Sequence, residues 1–275
     1  PARTAVGTSP AGPAPRPAGP HIQGRQTLLR SVRAEWIKFW SLRSTWITSF
    51  IAIALTVLFG AGIAIASGQR PEGQESAKDL ITTGLAFGQI VVSVLGALVI
   101  TGEYASGQIR SSLAAVPRRG HLLLAKAVVL AIVSFLLGSL SVFLSWAISK
   151  PFIGEHAGSL TDSHYAGHIW GSGLVFAVIA LMALGLGFLL RSTAGTVTVI
   201  VSLLFIISTP LQIAAGKWDW IYKIIGCLPS TVAQAVSDPF QRTTEWGGQG
   251  AQFLTHGQAI AVFATWALIP LIAAW

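Results

Sequence analysis

The chain has 275 residues, 52% hydrophobic and only 10% charged, with a mean hydropathy of +0.66. A soluble domain carries roughly 25% charged residues to cover its surface, so packing as a water-soluble globule is excluded. The net charge of +8 would suit a nucleic-acid binder, but the basic residues are sorted by position along the chain, which points to a membrane. The single cysteine, Cys227, excludes an intrachain disulfide and a four-cysteine zinc site. An inert thiol is the expectation, with a disulfide across a dimer as the alternative.

Residues 1–25 are rich in Pro, Gly and Ala without an apolar period, and are expected to be a disordered tail. No apolar core of a signal peptide stands before Trp46. In residues 26–45, Leu29, Val32, Trp36, Phe39 and Trp40 recur at three- and four-residue steps. Arg30, Arg33, Lys38 and Arg43 lie mainly off that stripe. This predicts an amphipathic, basic helix lying at the membrane–water interface. Residues 46–275 then read as an all-α transmembrane domain with six spans, at 46–67, 80–101, 122–149, 169–190, 195–215 and 257–275. Each has the ~20 residues needed to cross a hydrocarbon core. Apart from Lys126, expected to snorkel to the near surface, none contains Asp, Glu, Lys, Arg or His. Pro210 is expected to kink or end the fifth span.

Lysine and arginine set the orientation. One side carries 12 basic residues against two acids, Glu35 and Glu103, and the other six against eight. The positive-inside rule makes the first side cytoplasmic, with both termini there. The charge excess therefore reads as topology and attraction to anionic lipid, with no nucleic-acid partner. Trp146, Trp170, Trp218 and Trp220 are expected in an outer aromatic belt. In the long connection before the sixth span, an apolar stretch from Trp220 to Leu228 stops at Pro229. A short helix capped by Ser230 should follow, suggesting a segment that dips into the outer leaflet.

The most informative stretch is the turn after the second span: Gly102-Glu103-Tyr104, then Gly107, Ile109-Arg110 and Pro117-Arg118-Arg119. A short helix over 104–115, small on its exposed face and stopped by Pro117, can insert into a groove on another protein. With the preceding Arg33-Ala34-Glu35-Trp36-Ile37-Lys38-Phe39-Trp40 and Leu228-Pro229-Ser230, this run resembles the ABC type-2 exporter permeases. It is most similar to their actinobacterial antibiotic-transport and immunity branch. The resemblance implies a membrane-spanning exporter subunit that moves an antibiotic, peptide or lipid, paired as a homodimer or heterodimer with a second permease subunit. It also implies two copies of a separate ABC ATPase, which carry the ATP and Mg, so that this chain holds no cofactor or catalytic residue of its own. In that frame 104–115 matches the coupling helix, with Tyr104, Gly107, Gln108, Arg110 and Ser111 contacting the ATPase. Residues 26–44 match the connecting helix, and the outer segment the re-entrant helices.

The residues agree in two ways. There is no Gly-x-x-x-x-Gly-Lys-Ser/Thr phosphate loop, so the motor must be a partner. The spans also lack the buried Asp, Glu or His that ion-coupled carriers use. Glu103, beside a basic helix and Arg118–Arg119, is expected in an ion pair with those arginines that holds the coupling and connecting helices together. His156, His164 and His168 share an outer loop with Glu155 and Asp162. Without a second clustered pair they read as solvated histidines rather than a metal site. Expected path-lining groups are Thr82, Thr83, Phe87, Gln89 and Ser93 in the second span, with Ser208, Thr209 and Gln212 in the fifth. An intramembrane enzyme is disfavoured, since no catalytic constellation appears at membrane depth. A non-pumping anchor, sensor or immunity subunit is the alternative function.

Overall fold

The computed structural model describes residues 27–73, 77, 79–115, 119–154, 159, 163–238 and 254–275. The expected disordered tail lies outside them. Among the described residues there are eleven α-helices and no strand. Helix α1 (Leu28–Ser41) begins where the Thr27 hydroxyl accepts a bond from the Arg30 amide, 3.4 Å away. One extended residue, Leu42, separates α1 from α2 (Arg43–Gly68). The corner is held by the Trp46 indole, which donates to the Trp40 carbonyl at 3.0 Å.

Six helical stretches are long and apolar enough to cross a membrane: Arg43–Gly68, Asp79–Ser106, Gly120–Ile153, Ala166–Leu190, Thr193–Ala215 and His256–Ala274. They coincide with the six expected spans. The second consists of a 3-10 turn (Asp79–Thr82) and α3 (Leu85–Ser106); a short helix, α4 (Ile109–Ala115), follows. The third lies in α5 (Arg119–Ile153), the fourth in α6 (Ser163–Leu190) and the sixth is α11 (His256–Ala274). Between the last two come α7 (Thr193–Val201), a π-helical turn (Ser202–Ile206), α8 (Ser208–Ala215), α9 (Ile221–Cys227) and α10 (Pro229–Ser237).

Helix α6 is the hub, touching α3, α5, α7, α10 and α11. Its apolar window is 61% buried inside the chain, against 11% for the fifth span, which is the most peripheral. Glycines permit the closeness of the hub. A Cβ on Gly96 of α3 would stand 2.4 Å from the Ala180 carbonyl oxygen of α6, and one on Gly138 of α5 would stand 2.4 Å from that of Ser172. The Gly84–Gly88 step also marks a close contact, since Cβ atoms there would meet Thr56 of α2 at 1.9 and 2.1 Å. Gly96→Val should therefore destabilise the bundle by about 1–3 kcal/mol, the usual cost of overpacking. Gly62→Val should do much less, because nothing lies within 4 Å of that Cβ. Thermal unfolding in detergent checks this; equal midpoints for the two variants would contradict the packing.

Four local expectations need correction. Pro210 does not end the fifth span, and the irregularity that goes with it lies upstream of the residue itself. The chain is helical to Ala215, and the ladder instead widens one turn upstream, where the Ile207 amide donates to the Ser202 carbonyl at 2.9 Å. Proline lacks the donor that would reach Ile206, and a π turn accommodates the mismatch. Ser230 does not cap α10: Leu228 is the N-cap, Pro229 fills the first helical position, and the Ser230 hydroxyl faces that of Ser208 at 3.1 Å. Trp146 is 8% exposed, with Lys150 over its ring, whereas Trp170, Trp218 and Trp220 are exposed. His168 is not a solvated loop residue, because α6 begins at Ser163 and carries it into the bundle. His156 and the His164 side chain lie outside the described residues.

Candidate functional site

The second span does not run straight into its turn. Helix α3 continues through Tyr104 and stops at Gly107, whose left-handed backbone (φ 72°) is the conformation glycine adopts most cheaply. The 104–115 stretch expected as one helix is thus divided, with Tyr104 in α3 and only 109–115 in α4. Ile109 packs partly buried against the core, while Arg110, Ser111 and Ala114 face outward as one exposed strip. Gln108 is exposed in the turn, and its carbonyl accepts from the Ser111 hydroxyl at 2.8 Å. Nothing lies within 4 Å of a Cβ built on Gly107.

Directly behind this turn, charges alternate through three elements. Glu103 of α3 pairs with both Lys38 of α1 and Lys126 of α5, and Lys126 pairs on with Glu35 of α1 at 2.8 Å. Glu103 is 3% exposed and the Lys126 side chain 0%. Lys126 therefore does not snorkel: two carboxylates replace the water it would otherwise seek. The ion pair expected of Glu103 does join this turn's helix to the preceding one, but through lysines. Arg118 and the Arg119 side chain lie outside the described residues. The sequence signal for Lys126 was present, a lone cation inside an apolar span, which in a membrane implies a buried partner. Arg191, counted only as a topological charge, lies over the Tyr104 ring at 5.5 Å and holds a left-handed backbone (φ 52°) in the α6–α7 turn. Beside it the Thr193 and Thr101 hydroxyls are 2.6 Å apart, tying α7 to α3.

At the opposite end, a cavity of about 370 Å³ opens between the start of the second span, the π turn and α10. Three of the expected path residues, Thr82, Thr83 and Gln89, line it with Asp79, Leu204, Phe205, Ser230 and Ser237. Behind it His168 Nδ1 lies 2.9 Å from the Ser237 carbonyl, so that nitrogen carries the proton, and Nε2 lies 3.7 Å from Asp79. The other path residues do not gather there. Phe87 stacks on Phe59 at 3.8 Å between centroids, Ser93 is buried and donates to the Ile90 carbonyl, and Thr209 and Gln212 are exposed on α8. Ser208 meets the rim through the Ser230 hydroxyl.

A family profile described as ABC-2 family transporter protein matches residues 31–211, from within α1 into α8. The chain belongs to that family. It is the membrane permease subunit of an ABC transporter, a multi-pass protein whose family implies a partner ATPase. No match was found among curated proteins. The match covers both the α1–α3–α5 charge chain and the α4 turn, and leaves α9, α10 and α11 outside it. In the permease, α9 is tied to the sixth span by the Trp266 indole, which donates to the Cys227 carbonyl at 2.9 Å. Burial pushes the Cys227 thiol up, so the thiolate is scarce at neutral pH. Among the described residues, no group of three or more His, Cys, Asp or Glu forms a metal cluster.

Proposed function

We propose that the permease is an exporter subunit, driven through α4 by two copies of an ATPase that carry all the ATP and Mg, with no cofactor on this chain. The observation that carries the reading is the α4 strip of Arg110, Ser111 and Ala114, exposed at a tight turn whose root is locked to α1 and α5 by Glu103. A groove on the ATPase that grips the strip moves α1, α3 and α5 together, because buried ion pairs resist separation in a low-dielectric site. Tyr104, Gly107 and Gln108 form the base of that contact. In this reading the α4 end and both termini face the cytoplasm across a bacterial plasma membrane, and the 12-to-6 basic asymmetry supports that orientation.

A second permease subunit, identical or related, covers the fifth span. That span is 11% buried and exposes Thr209 and Gln212, polar groups that lipid tails cannot hydrogen-bond. The cargo is amphiphilic or lipophilic, since the middle of every span is uncharged. Titratable groups in the spans lie only near their ends, the buried Glu103 and Lys126 at one and the buried His168 with the exposed Asp79 at the other. From Ala127 to Ser149 in α5, and from Ile169 to Leu190 in α6, no charged residue bridges them. Protons therefore lack a path, and energy arrives from ATP. The reconstituted permease–ATPase complex should export cargo with ATP after the proton gradient is collapsed. Export driven by a pH gradient without ATP would contradict the reading.

A further inference from the structure

We propose that the cavity opposite α4 is a binding site for a lipophilic amine, with Asp79 as the counter-ion of its ammonium group. The proposal rests on the permease reading and names a cargo class for it. The cavity holds about 370 Å³, within the range of pockets that take drug-sized ligands. Its lining divides by chemistry. Leu80, Leu85, Ala86, Leu204 and Phe205 give apolar walls, while the charged lining residues are Asp79 and Asp238, both acidic. Among the described residues no Lys, Arg or His lines it; His168 stands behind Asp79, with Nε2 3.7 Å from the carboxylate. A cavity of one charge sign with low-dielectric walls concentrates ions of the other sign.

A second observation points to a ligand independently of the acids. Gln89 lies deeper along α3, is 9% exposed and lines the cavity, yet among the described residues no hydrogen-bond partner meets its amide. A polar side chain so placed is normally hydrogen-bonded, and an ammonium N–H offers what the Gln89 oxygen accepts. The Asp79 side chain is 47% exposed, so its carboxylate is open to a charge entering from the rim. The apolar body then lies against Leu204 and Phe205, beside the π turn.

The test uses the intact permease–ATPase complex in phosphatidylcholine nanodiscs, with rhodamine 6G, a lipophilic secondary-amine cation, read by fluorescence anisotropy. Dodecylamine should displace the probe, whereas dodecanol and dodecanoate should not. Asp79→Asn should weaken probe binding by about tenfold or more, as expected for loss of a hydrogen bond to a charged group, while Asp79→Glu retains it. Gln89→Leu should weaken binding as well, and Ala86→Trp should abolish it by filling the cavity; these variants decide the matter should Asp79→Asn not assemble. Adding phosphatidylethanolamine separates two sources of the amine: competition identifies a lipid headgroup, and no competition a free amphiphile. Unchanged binding in Asp79→Asn and Ala86→Trp, or equal displacement by dodecanol, overturns the site. ATP-driven export by the same purified complex reconstituted in sealed phosphatidylcholine vesicles would still stand in that case, so the two readings fail separately.

Discussion

Glu103→Gln should be the most damaging single substitution, lowering the stability of the permease by about 3 kcal/mol, in the range for breaking a buried ion pair from one side. The reason is the alternating order Lys38, Glu103, Lys126, Glu35 across α1, α3 and α5. Neutralising Glu103 leaves two ammonium groups facing a site that no longer balances them, and Lys126 has no exposure through which to reach water. Adding Lys126→Met to Glu103→Gln removes the stranded charge and substitutes an apolar side chain of similar length. The double variant should therefore unfold at a higher temperature than Glu103→Gln alone. A double-mutant cycle in detergent reads the coupling directly. Simple additivity of the two losses would mean that the lysine and the carboxylate do not depend on each other.

Arg110→Glu should have the largest functional effect without an effect on the fold. Arg110 is exposed on α4, and its guanidinium can offer several donors to a carboxylate on the ATPase. Reversing its charge should weaken ATPase association, or the transport coupled to hydrolysis, by ~10–100-fold, the scale of a lost charged hydrogen bond. The neighbouring glycine supplies a graded companion experiment. Gly107→Ala costs the isolated permease about 1 kcal/mol, because a side chain disfavours the left-handed backbone. Gly107→Trp adds bulk into open space, so any further loss relative to alanine comes from the partner. Co-purification and ATP-driven transport measure both variants. Normal assembly and transport in Arg110→Glu and Gly107→Trp would show that α4 does not carry the coupling.

Much of the fold is legible because a bilayer simplifies the code. Apolar runs of the right length had to be helices, and the six spans follow from that alone. The turn after α3 is equally legible, since Gly107 and the exposed polar residues beyond it have no lipid-facing reading. What one-dimensional reading mishandles is pairing. Lys126 looks like a cation free to reach the surface, yet Glu35 and Glu103, 91 and 23 residues away, converge on it. His168 looks like one of three loop histidines, yet α6 starts earlier and buries it against Ser237, 69 residues on. The path residues fail for a related reason. Thr82, Thr83 and Gln89 share a cavity while Phe87 and Ser93 face elsewhere, because helix rotation is fixed by neighbours such as Phe59. Pro210 misleads because its missing donor is absorbed one turn upstream, in a π turn, so that the helix runs on to Ala215.

The most direct measurement of the central claim is a photo-crosslink from α4. A benzoyl-phenylalanine in place of Ser111, exposed on the α4 strip, should crosslink to the ATPase in intact cells. The same group in place of Gln69, exposed at the far end of α2, should not. A crosslink to the ATPase from position 69 and none from position 111 would contradict both the orientation and the coupling role of α4.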